Sequence, residues 1–340
     1  MKTEHLLIIR FSAIGDVAMA VPVVRALAEQ YPDLRITFLS RPFARPLFED
    51  LAPNVGFMEA DIKGEYRGVK GLNKLYRRLV AKQFTAIADF HNILRSNYLR
   101  LRFNLGMFRV EHINKHRSGK RRLTSQTNRR LVQQPTTFEN YADVLARLGY
   151  PIELKPTSSS NPTPSPSGRD GEALRIGIAP FAAYTSKIYP VEKMERVIQL
   201  LTARWPGLRI YLFGGGGKER EQMEDWAGRY TQCTLAVTIG KGLKNELELM
   251  RKLRVMLSMD SANMHLASLV DTPVVSIWGA THPYAGFLGW GQAEDSCLQA
   301  DLPCRPCSVY GKKPCQRGDY ACLNSITPEQ VVAKLEEYLK

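Results

Sequence analysis

The sequence lacks any uninterrupted run of about 18 apolar residues, the length that a helix needs to cross a bilayer. Its longest early apolar run, Leu6 to Ile9, is interrupted by Arg10. We therefore expect neither a secretory signal peptide nor a membrane-spanning helix, and we predict a cytoplasmic protein.

Two glycine patterns of nucleotide-binding loops are also missing. The run Gly214 to Gly217 has neither the spacing nor the Ser or Thr of a P-loop, and the chain has no G-x-G-x-x-G motif after a strand. The second absence argues against a nicotinamide oxidoreductase. The glycines still allow a ligand to approach the backbone, and a ribose or base fits there better than a triphosphate.

Cysteine is scarce, and four of the six cysteines lie near the C-terminal end. A reducing cytoplasm argues against disulfides, while tetrahedral zinc tolerates such spacing. Only one C-x-x-C pair is present, where structural zinc sites usually have two. A structural zinc site and free or packing thiols therefore both stay open for Cys304, Cys307, Cys315 and Cys322.

Acidic residues are rare in one part of the chain. Between Lys63 and Arg130 there are 18 Lys and Arg residues but three acids, so this block carries a net charge of +15. The whole chain carries +14, which leaves −1 for all other residues. Such a block suits a phosphate-rich partner, namely nucleic acid, an anionic membrane or a phosphorylated glycolipid, although a solvated basic face without a partner remains an alternative.

Aromatic residues are absent from residues 111–130, the most basic part of that block. A nucleic-acid-binding α/β protein is the main competing hypothesis, and it predicts aromatic side chains among the basic ones for base stacking. Their absence counts against nucleic acid as a partner.

At 340 residues the chain is long for one hydrophobic core, so we expect two domains. Strands at 4–11, 34–39 and 84–90, with a helix after the first, predict the start of a doubly wound sheet. A Ser- and Pro-rich linker follows at 156–173. The α/β pattern then restarts in residues 174–340, so the predicted domains are 1–155 and 174–340.

Within the second half, strands are predicted at 175–179, 208–213, 254–259 and 273–278, with a helix at 191–204. The final amphipathic helix, Pro328 to Leu339, can cover either half.

Residues 254–283 carry the densest cluster of polar side chains between two apolar strands. Asp260 and Ser261 lie where a strand ends and a helix begins, and a helix start favours an anion such as phosphate. His265 follows one turn later on the same helix face. An ordinary helix cap and a core histidine are the alternatives.

Two further loops carry candidate ligand groups. Asp16 follows Gly15 in the first turn of a helix, where an ionised carboxylate can accept a proton or simply cap the helix. Thr185, Ser186 and Lys187 offer two hydroxyls and an ammonium, a plausible grip for a diphosphate.

Four segments together resemble glycosyltransferase family 9, the heptosyltransferases of lipopolysaccharide core assembly. They are FSAIGDVAMAVP at 11–22, the TSKIYP loop, the glycine run after a strand, and SMDSANMHLASLVDTPVVSIWGATHP at 258–283. The resemblance spans the chain from about Leu6 to the last helix.

The resemblance implies an α/β protein of the GT-B fold, with two Rossmann-like domains facing each other across a cleft. It implies an inverting, metal-independent transfer that needs no cofactor, with ADP-heptose or another nucleotide sugar as donor. Asp16 matches the family's catalytic aspartate. The implied donor-binding residues are Thr185, Ser186, Lys187, Gly215, Gly216, Glu219, Asp260, Ser261, Ala262 and His265, and a solvated helix start is the alternative for Glu219.

The acceptor of this family also gives the basic block a partner. An acceptor built on lipid A is anionic and lies at the cytoplasmic face of the inner membrane, where a basic region helps a peripheral enzyme to dock. We expect the acceptor or membrane contacts at Lys115, Arg117, Lys120, Arg121 and Arg122.

Overall fold

The structure, a computed structural model, describes residues 4–155 and 173–340. Within these residues, 4–115 and 135–155 form one compact unit, and 116–134 and 173–340 form a second. The linker predicted at 156–173 lies outside the described residues except for its last position.

The first unit contains, among its described residues, a sheet of five parallel strands. They are β1 (His5–Ile9), β2 (Arg35–Ser40), β3 (Val55–Glu59), β4 (Ala86–Asp89) and β5 (Arg109–His112). Their order across the sheet is β3-β2-β1-β4-β5. Every residue of β1 is buried, as expected for a central parallel strand covered on both faces. The three strands predicted here are confirmed, with ends that differ by one or two residues.

Helices cover both faces of this sheet. They are α1 (Ile14–Ala18), α2 (Ala20–Gln30), α3 (Arg45–Phe48), α4 (Gly68–Val80), α5 (Leu94–Leu105) and α7 (Thr137–Arg147). Helix α4 packs against α5, and α2 packs against α7. A capping box starts α7, because Thr136 Oγ1 accepts from the Glu139 N–H at 3.1 Å while Glu139 accepts from the Thr136 N–H at 2.7 Å.

The second unit contains six parallel strands among its described residues. They are β6 (Arg175–Ala179), β7 (Arg209–Leu212), β8 (Cys233–Leu235), β9 (Val255–Met259), β10 (Val274–Trp278) and β11 (Cys297–Gln299). Their order is β11-β10-β9-β6-β7-β8. The four predicted strands are confirmed, and the two strands β8 and β11 were not predicted.

The helices of the second unit include one from the middle of the chain and seven from its C-terminal part. They are α6 (Arg117–Leu123), α8 (Val191–Arg204), α9 (Lys218–Arg229), α10 (Ala236–Ile239), α11 (Leu243–Met250), α12 (Ala262–Leu269), α13 (Ala321–Asn324) and α14 (Pro328–Leu339). Helix α14 packs on α8 and β9, and the Arg254 Nε donates to the Tyr338 carbonyl at 2.9 Å. The last helix therefore packs within the second unit. None of the helices described in either unit is long and apolar enough to cross a bilayer.

Residues 116–134 pack on the second unit, although the sequence places them in the domain 1–155. The Lys120 ammonium lies 4.1 Å from the centre of the Phe287 ring, and the Gln134 N–H donates to the Tyr284 carbonyl at 2.9 Å. The Arg129 guanidinium donates to the carbonyls of three consecutive residues, Pro303, Cys304 and Arg305. These contacts are between residues distant in sequence, so a boundary drawn along the chain does not reveal them.

Arg129 provides a test of how the 116–134 segment is held. Arg129→Ala removes the three hydrogen bonds to residues 303–305 and a fourth to the Ser125 carbonyl, all from a charged donor, so we expect α6 to open more easily by about 2 kcal/mol. Amide hydrogen exchange of residues 117–123 should become roughly 30-fold faster. The exposed neighbour Arg130 is the control, because Arg130→Ala leaves the hydrogen bonds from Arg129 to the carbonyls of residues 303–305 intact. Equal exchange rates in the two variants would contradict this role of Arg129.

Candidate active site

In the first sheet, β2 and β3 lie on one side of β1, and β4 and β5 lie on the other. The strand order therefore reverses at β1. In open parallel sheets, ligands bind outside the carboxyl ends of the strands at such a reversal. Asp16 lies in α1 after the end of β1, and His91 and Asn92 follow the end of β4. The fold thus places Asp16, predicted from the sequence, at the carboxyl edge of the first sheet.

Asp16 is held by a buried arginine. Its Oδ2 lies 2.5 Å from the Arg10 guanidinium and accepts a hydrogen bond from the Ala13 N–H at 3.2 Å. The Asp16 side chain is 33% exposed, whereas that of Arg10 is 8% exposed. Burial lowers the pKa of Arg10, but the negative charge of Asp16 and its hydrogen bond to the guanidinium outweigh this effect and raise the pKa. The guanidinium therefore remains a cation that orients a carboxylate with one side open to solvent.

Helix α7 supports the same aspartate from behind. The Tyr141 hydroxyl donates to the Asp16 carbonyl at 3.1 Å, and its ring stacks on Phe90 at 4.3 Å. The Arg10 guanidinium also donates to the Phe90 carbonyl at 2.7 Å. The loops after β1 and β4 are therefore tied together around Asp16.

His91 is a buried residue of this edge that sequence reasoning did not single out as functional. Its Nδ1 accepts from the Phe11 N–H at 3.4 Å, which leaves the ring proton on Nε2, 3.4 Å from the Ser12 hydroxyl. Burial, together with the positive charges of Arg10 and Lys115, lowers the pKa of His91 to about 3. A neutral His91 thus supports the loop that leads into Asp16.

The predicted acceptor residues separate between the two units. Lys115 lies in the first unit, where its ammonium donates to the Asn92 carbonyl at 3.1 Å. The other four, Arg117, Lys120, Arg121 and Arg122, lie on α6 in the second unit. Lys120 is 5% exposed and rests on Phe287, so its charge is directed into the protein, whereas the three arginines are exposed.

The second sheet reverses its order beside β6, between β7 and β9. At this edge the Lys187 ammonium lies 2.8 Å from Asp260 Oδ2, and the Thr281 hydroxyl donates to the same oxygen at 2.7 Å. The side chains of Lys187 and Asp260 are 14% and 7% exposed. The structure thus joins two loops that the sequence analysis selected separately, and it adds Thr281, which lies in the motif at 258–283.

The three residues of the 185–187 loop have different environments. Thr185 is exposed, whereas Ser186 is buried and its hydroxyl donates to the Gly311 carbonyl at 2.7 Å. The Ser186 carbonyl accepts from the Ala280 N–H at 3.0 Å. A side chain at Gly279 would place Cβ 2.4 Å from that carbonyl, so glycine is required there. Ser186 therefore anchors the loop, while Thr185 and Lys187 carry its available polar groups.

Helix α12 begins at the same edge. Its N-cap is Ser261, whose hydroxyl lies 3.2 Å from that of Ser258 and makes no capping bond to the helix amides. Ala262 is the first residue of the helix, and His265 lies one turn further with 9% exposure. The helix start can therefore offer backbone N–H groups to an anion.

The glycine run follows β7, next to the reversal point. Glu219 Oε2 accepts from the Gly215 N–H at 2.9 Å, which fixes the loop, and Gly215 and Gly216 are exposed. A side chain at Gly216 would meet nothing within 4 Å. The loop therefore leaves open space beside its backbone.

Arg305 holds the backbone at the carboxyl edge of the second sheet. This residue was not predicted from the sequence. Its buried guanidinium donates to the carbonyls of Gly279, Thr281 and Ala300 and to the Gln299 side chain, at 2.7 to 3.0 Å. Burial lowers the pKa of Arg305 to about 10, so it is still charged at neutral pH. It fixes the backbone that presents Thr281 to Asp260.

Of the four C-terminal cysteines, Cys304 directly precedes Arg305 in the chain and the other three follow it. In the part of the chain that the structure describes, no three His, Cys, Asp or Glu side chains are grouped in a way that would hold a metal ion. Burial raises the pKa of the Cys307 thiol and raises that of Cys322 to about 11. All four are reduced in the structure, and Cys322 is buried while the other three are partly exposed.

Comparison with known proteins identifies the family. The sequence model of glycosyltransferase family 9 (heptosyltransferase) matches residues 72–316. The chain belongs to this family. It is therefore a glycosyltransferase.

Known glycosyltransferases match the chain over most of its length. It is 24% identical to the lipopolysaccharide core heptosyltransferase OpsX of Haemophilus influenzae, over 82% of this chain and 80% of that protein. Among solved structures, a family 9 glycosyltransferase from Veillonella parvula gives a TM-score of 0.73 at 18% identity, over 100% of this chain and 98% of that one. The Escherichia coli heptosyltransferase WaaC with ADP-2-deoxy-2-fluoro heptose gives 0.68 at 17% identity, over 98% and 99%. The predicted GT-B fold is confirmed.

The lowered pKa of His91 predicts a pH dependence of stability. The folded protein holds this pKa near 3, against 6.5 for the ordinary side chain, so the unfolded chain binds a proton more readily between these values. Stability should therefore fall as the pH drops below 6.5, by up to about 1.4 kcal/mol per pH unit from this residue. Urea unfolding of the wild type and of His91→Asn at pH 6.5 and 4.5 measures the difference. Parallel pH profiles would show that His91 is not buried as a neutral ring.

Proposed function

We propose that this family 9 enzyme transfers a heptose from ADP-heptose to an anionic acceptor of the lipopolysaccharide core. The observation that carries the proposal is the Lys187–Asp260 pair, which Thr281 joins at the reversal point of the second sheet. Support for the donor and acceptor comes from the relatives, one named a lipopolysaccharide core heptosyltransferase and one solved with an ADP-heptose analogue.

Lys187 is the proposed grip on the donor diphosphate. An ammonium has three protons, and one of them serves Asp260, so two remain for phosphate oxygens. The start of α12, with Ser261 and Ala262, offers backbone N–H groups to the same charge, and Thr185 offers a hydroxyl. We assign Gly215, Gly216 and Glu219 to the nucleotide and His265 to the sugar-diphosphate end.

Asp16 is the proposed general base. The acceptor hydroxyl oxygen bonds to the anomeric carbon while the bond from that carbon to the phosphate oxygen breaks, and ADP leaves with the electron pair. The hydroxyl proton passes to Asp16, whose open carboxylate Arg10 holds in place. Attack opposite to the leaving group inverts the configuration of the anomeric carbon.

This assignment makes the transfer independent of a metal. The negative charge that develops on the departing ADP is stabilised by Lys187 and the start of α12, which act where a divalent cation would otherwise act. Asp16 belongs to the first unit and Lys187 to the second.

The acceptor and its location form a further part of the proposal. Lys115 at the edge of the first unit is suited to an acidic sugar of the acceptor. The exposed side chains of Arg117, Arg121 and Arg122 are suited to acceptor phosphates or anionic lipid, whereas the burial of Lys120 removes it from this set. We place the enzyme at the cytoplasmic face of the inner membrane, where such an acceptor is found.

Asp16→Asn tests the base. It keeps the shape of the side chain but accepts no proton, so we expect the rate of heptose transfer to fall by about 10² to 10⁴. Calorimetry with ADP should give an unchanged Kd, because the nucleotide binds in the second unit. Asp33→Asn, an exposed change in the same unit, is the control. Thermal melting checks that Arg10 without its partner still permits folding, and a folded variant with undiminished transfer would rule out Asp16 as the base.

Lys187→Ala tests the diphosphate grip. Loss of a charge-assisted hydrogen bond of about 1.5 to 3 kcal/mol predicts a Kd for ADP that rises by roughly 10- to 150-fold. Lys252→Ala, at an exposed lysine of the same unit, should leave the Kd unchanged. Equal affinities of Lys187→Ala and the wild type would remove Lys187 from the donor site. Thermal-shift titration of the wild type with ADP-, GDP- and UDP-sugars then identifies the nucleotide.

A further inference from the structure

Helix α5 of the first unit carries an apolar stripe on the face that points away from its sheet. Leu94, Leu101 and Leu105 are 86%, 56% and 74% exposed, and their spacing of seven and four residues puts them on one side of the helix. Leu99 and Phe103, on the opposite side, are fully buried. The helix is therefore apolar on both faces, although only one face has a partner in the described part of this unit.

The stripe extends beyond α5. Met107, two residues after the helix, is 92% exposed, and Val69 on α4 is 61% exposed. Helices α4 and α5 are fixed side by side, because Asn73 Oδ1 accepts from the Tyr98 hydroxyl at 2.8 Å and from the Arg102 guanidinium at 2.7 Å. The apolar residues thus lie on a two-helix surface that is already ordered.

Basic side chains border the stripe on α4. This helix buries Leu72 and Leu75, and its opposite face carries the exposed Lys70 and Arg77. The exposed Arg95 adds a charge in the first turn of α5. Exposed leucines beside lysine and arginine are typical of helices that lie in a membrane interface, with the apolar residues in the acyl region and the charges among the head groups.

We propose that this α4–α5 surface docks on an anionic lipid bilayer. The inference rests on the proposed function, since an acceptor with a lipid anchor is what brings the enzyme to a membrane. Helix α5 begins directly after the loop of His91 and Asn92, so the Leu94 end of the stripe lies at the same edge of the sheet as Asp16. An acceptor sugar that projects from the bilayer at Leu94 is thus delivered to the side of the unit that holds the base.

Charge favours a bilayer over a second copy of the chain. A symmetric dimer through this surface would gather Lys70 and Arg77 of both copies in one interface, where these like charges repel. Anionic head groups instead gain from each of these charges, by about fivefold in binding per Lys or Arg.

Vesicle flotation with the full chain tests the proposal. We expect the wild type to bind vesicles of phosphatidylglycerol and phosphatidylethanolamine, and Leu101→Ser to lower the partition coefficient by about tenfold or more. Ile239→Ser, at a residue of the second unit that is 58% exposed, is the matched control and should bind as the wild type does. Lys70→Glu with Arg77→Glu should weaken binding to these vesicles but not to pure phosphatidylcholine.

Three results would overturn the docking surface. In the first, the wild type does not bind the anionic vesicles. In the second, the Leu101→Ser variant binds them as tightly as the Ile239→Ser control does. In the third, the wild type sediments as a dimer and the Leu101→Ser variant as a monomer, while both bind vesicles equally. The last result would identify the stripe as a dimer interface.

Heptose transfer to a soluble oligosaccharide acceptor without lipid chains separates this inference from the proposed function. If transfer is retained but the protein does not bind vesicles, only the proposed docking surface is contradicted. If Leu101→Ser weakens vesicle binding but the wild type transfers no heptose, only the proposed function is contradicted.

Discussion

The Lys187–Asp260 ion pair is the interaction on which the carboxyl edge of the second sheet depends. Both side chains are largely removed from water, and the desolvation of two charges offsets much of their attraction. The pair is retained because its surroundings satisfy it, with Thr281 on the shared carboxylate oxygen and Arg305 beneath the backbone of Thr281. Removal of either partner would leave a buried charge alone, so the pair fixes the 185–187 loop against the end of β9.

A related arrangement with the opposite exposure occurs in the first unit. There the cation Arg10 is buried and the carboxylate of Asp16 is open to solvent. In the second unit the lysine is the more exposed partner of its pair, at 14% against 7%. One edge therefore presents a carboxylate suited to accept a proton, and the other presents an ammonium suited to bind a phosphate. The same pairing of charges thus occurs at two equivalent sheet edges with the exposure of the two partners reversed.

Much of the architecture could be predicted from the sequence, because parallel strands buried on both faces read as short apolar runs. The strands at 175–179 and 254–259 and the helix at 191–204 are examples, and Asp16, Lys187 and Asp260 were selected as candidates from their positions at strand ends. The supporting residues were missed. Arg10 was noticed only as an interruption of an apolar run, and Thr281 and Arg305 act through partners 21 to 26 residues away.

The sequence by itself determined the two α/β halves, the polar groups at the ends of their strands and the resemblance to family 9, because these depend on local periodicity and short motifs. Tertiary structure alone decided that residues 116–134 pack with the second unit, that Lys120 faces Phe287 and that Ser186 is an anchor. Each of these depends on which distant residues meet in space, and that information is not contained in the spacing of residues along the chain.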